Sequence, residues 1–275
     1  MIHRINIKKL RFFLIASTLV FLSYYISGKY DEYSIEDVYS LFKYALLLAL
    51  ISIASSLLVQ LSEGGKRRVN TIFYLGVTPY LVVLGCFLFY SYYPNLSLSL
   101  KIITSGFYIL LLYTLLLLNN VVLIVGSREV NIPIYRAALN WVQIILLCDS
   151  ILIFTCFSRL PVHPGVQSLL VVIVSIILYG YLLWVYSEEV EIKTVQKKES
   201  VLLIIDLSFL VGWAYFSVLF ISAESFLRGL FVASVFLLGL GYTQLYIKNS
   251  LSKRNIRDYM LICGVFFMLL ILFRP

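Results

Sequence analysis

The sequence predicts an all-α fold, a polytopic bundle of about nine transmembrane helices without a soluble domain. Of the 275 residues, 61% are hydrophobic and only 13% are charged, and the mean hydropathy is +0.95. An ordinary soluble domain has roughly 25% charged residues, which cover its surface. This chain lacks enough charged residues for such a surface. A lipid bilayer removes the need for one, because apolar side chains can face acyl chains.

Apolar runs of the length that a bilayer requires, ~20 residues, recur along the chain. We predict spans near residues 11–27, 39–61, 71–93, 102–126, 137–158, 167–187, 201–222, 230–247 and 259–273. At 1.5 Å per residue the run 259–273 would reach only ~22 Å. The ninth span therefore either includes flanking residues or does not cross the bilayer. In the second case the chain has eight spans. Because the connecting loops are too short for a second folded unit, residues 1–275 are predicted to form a single transmembrane domain.

The basic residues predict the orientation, because cytoplasmic loops are enriched in lysine and arginine. With the N-terminus in the cytoplasm, 16 of the 22 basic residues fall on the inner side, and the six others are Lys29, Lys43, Lys101, Arg159, Arg228 and Arg274. The first outer loop is acidic, with Asp31, Glu32, Glu36 and Asp37. This distribution explains the net charge of +8 without a nucleic-acid partner. We expect a plasma (cytoplasmic) membrane as the location, and the bilayer, including anionic inner-leaflet lipid, as a partner.

Two acidic residues lie inside apolar runs, where an ionisable side chain is a functional candidate by default. Asp149 is near the middle of the fifth span, and Asp206 is about a turn and a half inside the seventh. An unpaired carboxylate at the depth of Asp149 is costly, so this group should be protonated or hydrogen-bonded. It is either a proton or cation site or a neutral carboxyl that holds helices together.

Five amide side chains are predicted at a depth similar to that of Asp206, namely Asn119, Asn120, Asn140, Gln143 and Gln244. Together with Asp206 they would form a polar layer in the cytoplasmic third of the bundle. We interpret this layer as a cytoplasm-facing vestibule with Asp149 at its floor. The alternative is a set of separate interhelical hydrogen bonds, each worth ~0.6 kcal/mol.

A repeated pattern, R-x-V-N-x-x-x-Y, occurs at residues 67–74 and again at 128–135. Both copies precede or enter a predicted helix from the cytoplasmic side, two spans apart. The pattern indicates either repeated helical hairpins in parallel orientation or a chance match, since inner loops already favour arginine, asparagine and interfacial tyrosine.

The sequence contains no signature of catalysis. It has no HExxH, GxSxG or paired DxxD motif, and its four cysteines fall in apolar runs without metal-ligand spacing. We therefore predict no catalytic residue, no metal site and no cofactor, and we expect that the chain is not an enzyme.

Three function classes are consistent with these features. The first is a small transport- or channel-like protein, which the polar layer and Asp149 favour. The second is a non-enzymatic accessory, sensor or scaffold subunit that packs against other membrane proteins or further copies of this chain. The third is a membrane-embedded enzyme for lipid or lipid-linked substrates, which only the basic inner face and the interfacial tyrosines favour.

Overall fold

Helices account for nearly all of the structure, a computed structural model that describes residues 2–28, 38–61, 69–128, 133–187, 197–248, 250 and 252–273. No strand occurs in these ranges. The helices are α1 (Ile2–Gly28), α2 (Val38–Leu61), α3 (Val69–Tyr92), α4 (Leu98–Arg128), α5 (Pro133–Phe157), α6 (Pro164–Ser187), α7 (Lys197–Leu219), α8 (Ser225–Ile247) and α9 (Lys253–Leu272). All nine of these described helices contain a segment long and apolar enough to cross a membrane, which confirms the predicted all-α bundle.

The ninth helix begins six residues before the predicted start of its span, at Lys253 instead of residue 259. The Ser252 side chain accepts a hydrogen bond from the Asn255 backbone N–H and so caps the helix. The first turns are polar, so they do not appear in an apolar window. With 20 residues, α9 reaches ~30 Å, the thickness of the hydrocarbon core. This length favours nine spans over eight.

The contacts between helices divide the chain into two compact units, Met1–Arg128 and Glu129–Pro275. In the first unit, α1 packs against α2, α3 and α4, and α3 also packs against α2 and α4. That residues 1–275 form a single domain stays a prediction.

The second unit is organised around α8, which packs against α5, α6, α7 and α9. Close approach depends on glycines in α8. A Cβ at Gly229 would collide with Thr155 of α5, one at Gly239 with Tyr179 of α6, and one at Gly241 with Tyr259 of α9. Small residues at helix contacts are typical of membrane bundles, because they bring two backbones close together.

Candidate functional site

Asp149 is the most deeply buried acidic side chain that the structure describes. It lies on α5, two residues from residue 147, the midpoint of the span Ala137–Phe157. The residue is 1% exposed, and neither carboxylate oxygen has a hydrogen-bond partner in the described part of the chain. A buried carboxyl without hydrogen bonds is costly. The structure therefore does not support the alternative that this carboxyl holds helices together through hydrogen bonds between described residues.

Three serines extend a layer of buried polar groups around the second unit at the depth of Asp149. Ser175 of α6, Ser208 of α7 and Ser234 of α8 each lie within two residues of the midpoint of their span. All three are at most 3% exposed. The hydroxyl oxygens of Ser175 and Ser208 find no hydrogen-bond partner among the described residues, whereas the Ser234 hydroxyl donates to the Phe231 carbonyl at 2.6 Å. We call Asp149 and these serines the mid-span polar layer.

The sequence prediction missed these serines. Serine is common in membrane helices, where it often bonds a carbonyl of the preceding turn, so a single serine is a weak signal. The available signal was positional, since each of the four consecutive helices α5 to α8 has at least one polar residue near the middle of its span.

A hydrogen-bonded cluster joins three helices of the second unit nearer to the predicted cytoplasmic side. The Gln143 amide donates to Gln244 Oε1 at 2.8 Å and to the Tyr186 hydroxyl at 3.4 Å. These contacts connect α5, α8 and α6. Gln143 is six residues from Asp149 along α5, or ~9 Å. Of the seven predicted vestibule residues, Gln143 and Gln244 are therefore directly bonded to each other.

The other predicted vestibule residues have varied environments. Asp206 and Asn140 are exposed, Asn120 is half-buried, and Asn119 is fully buried. Asn119 and Asn120 belong to the first unit and the other five residues to the second. The common vestibule stays a prediction.

The described ranges contain no group of three or more histidine, cysteine, aspartate or glutamate side chains that could hold a metal ion. The four cysteines, Cys86, Cys148, Cys156 and Cys263, form no disulfide bond within these ranges. The polar layer offers hydroxyl and carboxyl oxygens instead, which can bind a proton or a hard monovalent cation.

The described helices and their apolar surfaces define the class of the protein, which is a multi-pass α-helical integral membrane protein. No protein-family model, curated protein or solved structure matches the chain.

Proposed function

We propose that this chain is a transport-like membrane protein in which Asp149 binds and releases a proton, with the Gln143–Gln244 pair on the path to the cytoplasm. The observation that carries the proposal is the burial of Asp149 without a hydrogen-bond partner in the described chain. A carboxyl that only stabilised the bundle would be expected to bond a neighbouring helix. An unsatisfied carboxyl inside a span is instead typical of proton relays and ion pathways.

The serines of the mid-span polar layer support a role for this layer in proton exchange with Asp149. The Ser175 and Ser208 hydroxyls are buried at the same depth on two other helices, and a hydroxyl can both donate and accept a hydrogen bond. Because neither hydroxyl is bonded to the carboxyl, such groups would exchange a proton with Asp149 through intervening water. Their lack of partners among the described residues leaves them available for this exchange.

The glutamine pair supports access from the cytoplasmic side. Gln143 and Gln244 are half-buried, so the cluster is in contact with the surroundings of the second unit, whereas Asp149 is not. An amide pair can break its mutual hydrogen bond and bond water in its place at a small net cost. Opening of this pair would let water approach Asp149 from that side.

The proposal can be tested without knowing the substrate. A pH jump applied to the purified chain in vesicles should change the infrared C=O stretch of a protonated carboxyl. We expect this band in the wild type and its loss in Asp149→Asn, which keeps the size of the side chain but cannot ionise. Asp206→Asn is the matched control, because Asp206 is exposed, and it should keep the band.

Proton flux provides the functional test. Vesicles with a trapped pH-sensitive dye should acidify faster with the wild-type chain than without protein when a membrane potential is applied, and Asp149→Asn should abolish the difference. Equal infrared bands and equal fluxes in wild type and Asp149→Asn would reject the proposal.

A second function, an accessory or scaffold subunit, is favoured by Asp206. This carboxyl is exposed on α7, three residues from residue 209, the midpoint of the span Glu199–Leu219. A charged side chain at the helix centre costs about 2.5–3.5 kcal/mol on insertion scales, so a polar group of another membrane protein would stabilise it. In this case Asp206→Asn, and not Asp149→Asn, should reduce the mass of the complex measured by light scattering in mild detergent. An unchanged mass would reject this alternative.

A further inference from the structure

A groove runs between α1 and α4 of the first unit. Its volume is about 600 Å³, and its walls include Thr18, Phe21 and Tyr24 of α1 and Ser105 and Ile109 of α4. The volume lies in the range of about 300–1,000 Å³ that small-molecule sites occupy. Phe21 is 68% exposed, and the walls are mainly apolar with a few hydroxyls. This composition suits a hydrocarbon chain better than a polar solute.

A lysine lies at one end of this groove. Lys101 precedes Ser105 by one turn of α4, and its Nζ atom lies 6.0 Å from the centroid of the Tyr24 ring, within reach of a cation–π interaction. Tyr24 is near the C-terminal end of α1, and Lys101 is near the N-terminal end of α4. In the described ranges no carboxylate pairs with Lys101. The groove thus has a positive charge at its interfacial end and an apolar body inside the membrane.

Hydrogen bonds and ring packing fix the position of the Tyr24 ring beneath this lysine. Tyr24 packs edge-on against Tyr90 of α3 with ring centroids 5.1 Å apart. The buried Tyr90 hydroxyl is hydrogen-bonded to the hydroxyls of Ser105 at 2.7 Å and Thr104 at 3.0 Å. Contacts among α1, α3 and α4 therefore position the aromatic wall at the charged end of the groove, which lowers the entropy cost of binding a ligand.

We propose that this groove binds one anionic glycerophospholipid, with its headgroup at Lys101 and an acyl chain along Phe21 toward Ile109. The charge argues for an anionic lipid, because a zwitterionic headgroup carries its own ammonium group and gains less from the lysine. The depth and the apolar walls argue for a lipid that is already in the bilayer. The proposal is independent of the role of Asp149, which lies in the other unit.

Native mass spectrometry of the full chain tests the proposal, with phosphatidylglycerol and phosphatidylcholine of identical acyl chains as probes. We expect the wild type to keep one phosphatidylglycerol with a preference of about fivefold over phosphatidylcholine, the effect of one basic residue near an anionic lipid surface. Lys101→Gln should bring this preference close to one. Lys43→Gln is the matched control, since Lys43 is an exposed lysine in the first turns of α2, and it should keep the wild-type preference.

A second variant tests the groove itself. Thr18 is exposed, and its hydroxyl bonds only the Ile15 carbonyl of its own helix, so Thr18→Phe should fold and fill the groove. We expect it to lose the bound lipid of either type. Retention of the lipid by Thr18→Phe would overturn the proposal, as would an unchanged preference in Lys101→Gln or an equal loss in Lys43→Gln.

Discussion

Replacement of Gly229 by alanine should destabilise the second unit, because this glycine lies where α8 crosses α5. A Cβ at Gly229 would lie 2.8 Å from both the Cα and the backbone nitrogen of Thr155. Backbone atoms cannot rotate away as a flexible side chain can, so the two helices must separate. An extra carbon in a packed interior typically costs about 1–3 kcal/mol.

The intrinsic helix propensity acts in the opposite direction, since alanine is favoured over glycine in a helix by about 1 kcal/mol. Because the collision is with backbone atoms of Thr155, the packing cost lies in the upper part of that range, about 2–3 kcal/mol. The expected net loss of stability for Gly229→Ala is therefore about 1–2 kcal/mol. A loss of 1 kcal/mol lowers the melting temperature of a 150–250-residue protein by roughly 2–4 °C. We thus expect a decrease of about 2–8 °C.

A thiol-reactive fluorescent dye can measure this decrease in the full chain. Cys156 follows Thr155 directly and is 0% exposed, so it becomes reactive when the second unit unfolds. Gly264→Ala on α9 is the matched control, because nothing lies within 4 Å of a Cβ there. It should melt at or slightly above the wild-type temperature. The packing argument fails if Gly229→Ala melts like the wild type, or if Gly264→Ala loses as much stability.

Three further measurements test other contacts and the topology. A double-mutant cycle of Gln143→Ala and Gln244→Ala should give a coupling of about 0.6 kcal/mol, and strictly additive losses would contradict their 2.8 Å hydrogen bond. Tyr179→Phe should cost about 0.5–1.5 kcal/mol, because the buried hydroxyl donates to the Phe236 carbonyl at 3.0 Å; an unchanged melting temperature would argue against this bond. Nine spans with a cytoplasmic N-terminus place residue 275 outside the cytoplasm. Alkaline phosphatase fused after residue 275 should therefore be active. If only a fused fluorescent protein is active there, residue 275 is cytoplasmic and the chain has eight spans.

The number and approximate extent of the helices could be predicted because lipid imposes a simple rule. Every backbone polar group inside a bilayer must be bonded within the protein, so each long apolar run forms a helix. Helix starts are less well marked in the sequence, as at α9, where the first turns are polar and the Ser252 cap sets the start. Hydropathy cannot detect a helix end that is determined by one hydrogen bond and by basic side chains that reach toward the interface.

The environment of each polar residue could not be predicted from the sequence. In a soluble helix, apolar residues recur on one side and mark the buried face. The membrane helices here are apolar on all sides, so the sequence does not show which face packs inward. Asn140 and Gln143 are three residues apart on α5, yet Asn140 is exposed and Gln143 is bonded to α8. Only the packing of the helices distinguishes them.

The two intramembrane aspartates separate the effect of burial from the effect of charge. Asp149 and Asp206 lie two and three residues from the midpoints of their spans, but Asp149 is 1% exposed and Asp206 is exposed. Replacement by asparagine removes an ionisable group at nearly the same depth in both cases. A change in the infrared band or in the proton flux that results only from the loss of an ionisable group should therefore occur in both variants. A change confined to Asp149→Asn must result from the closed environment of that carboxyl, which is the property that a proton-coupling site requires.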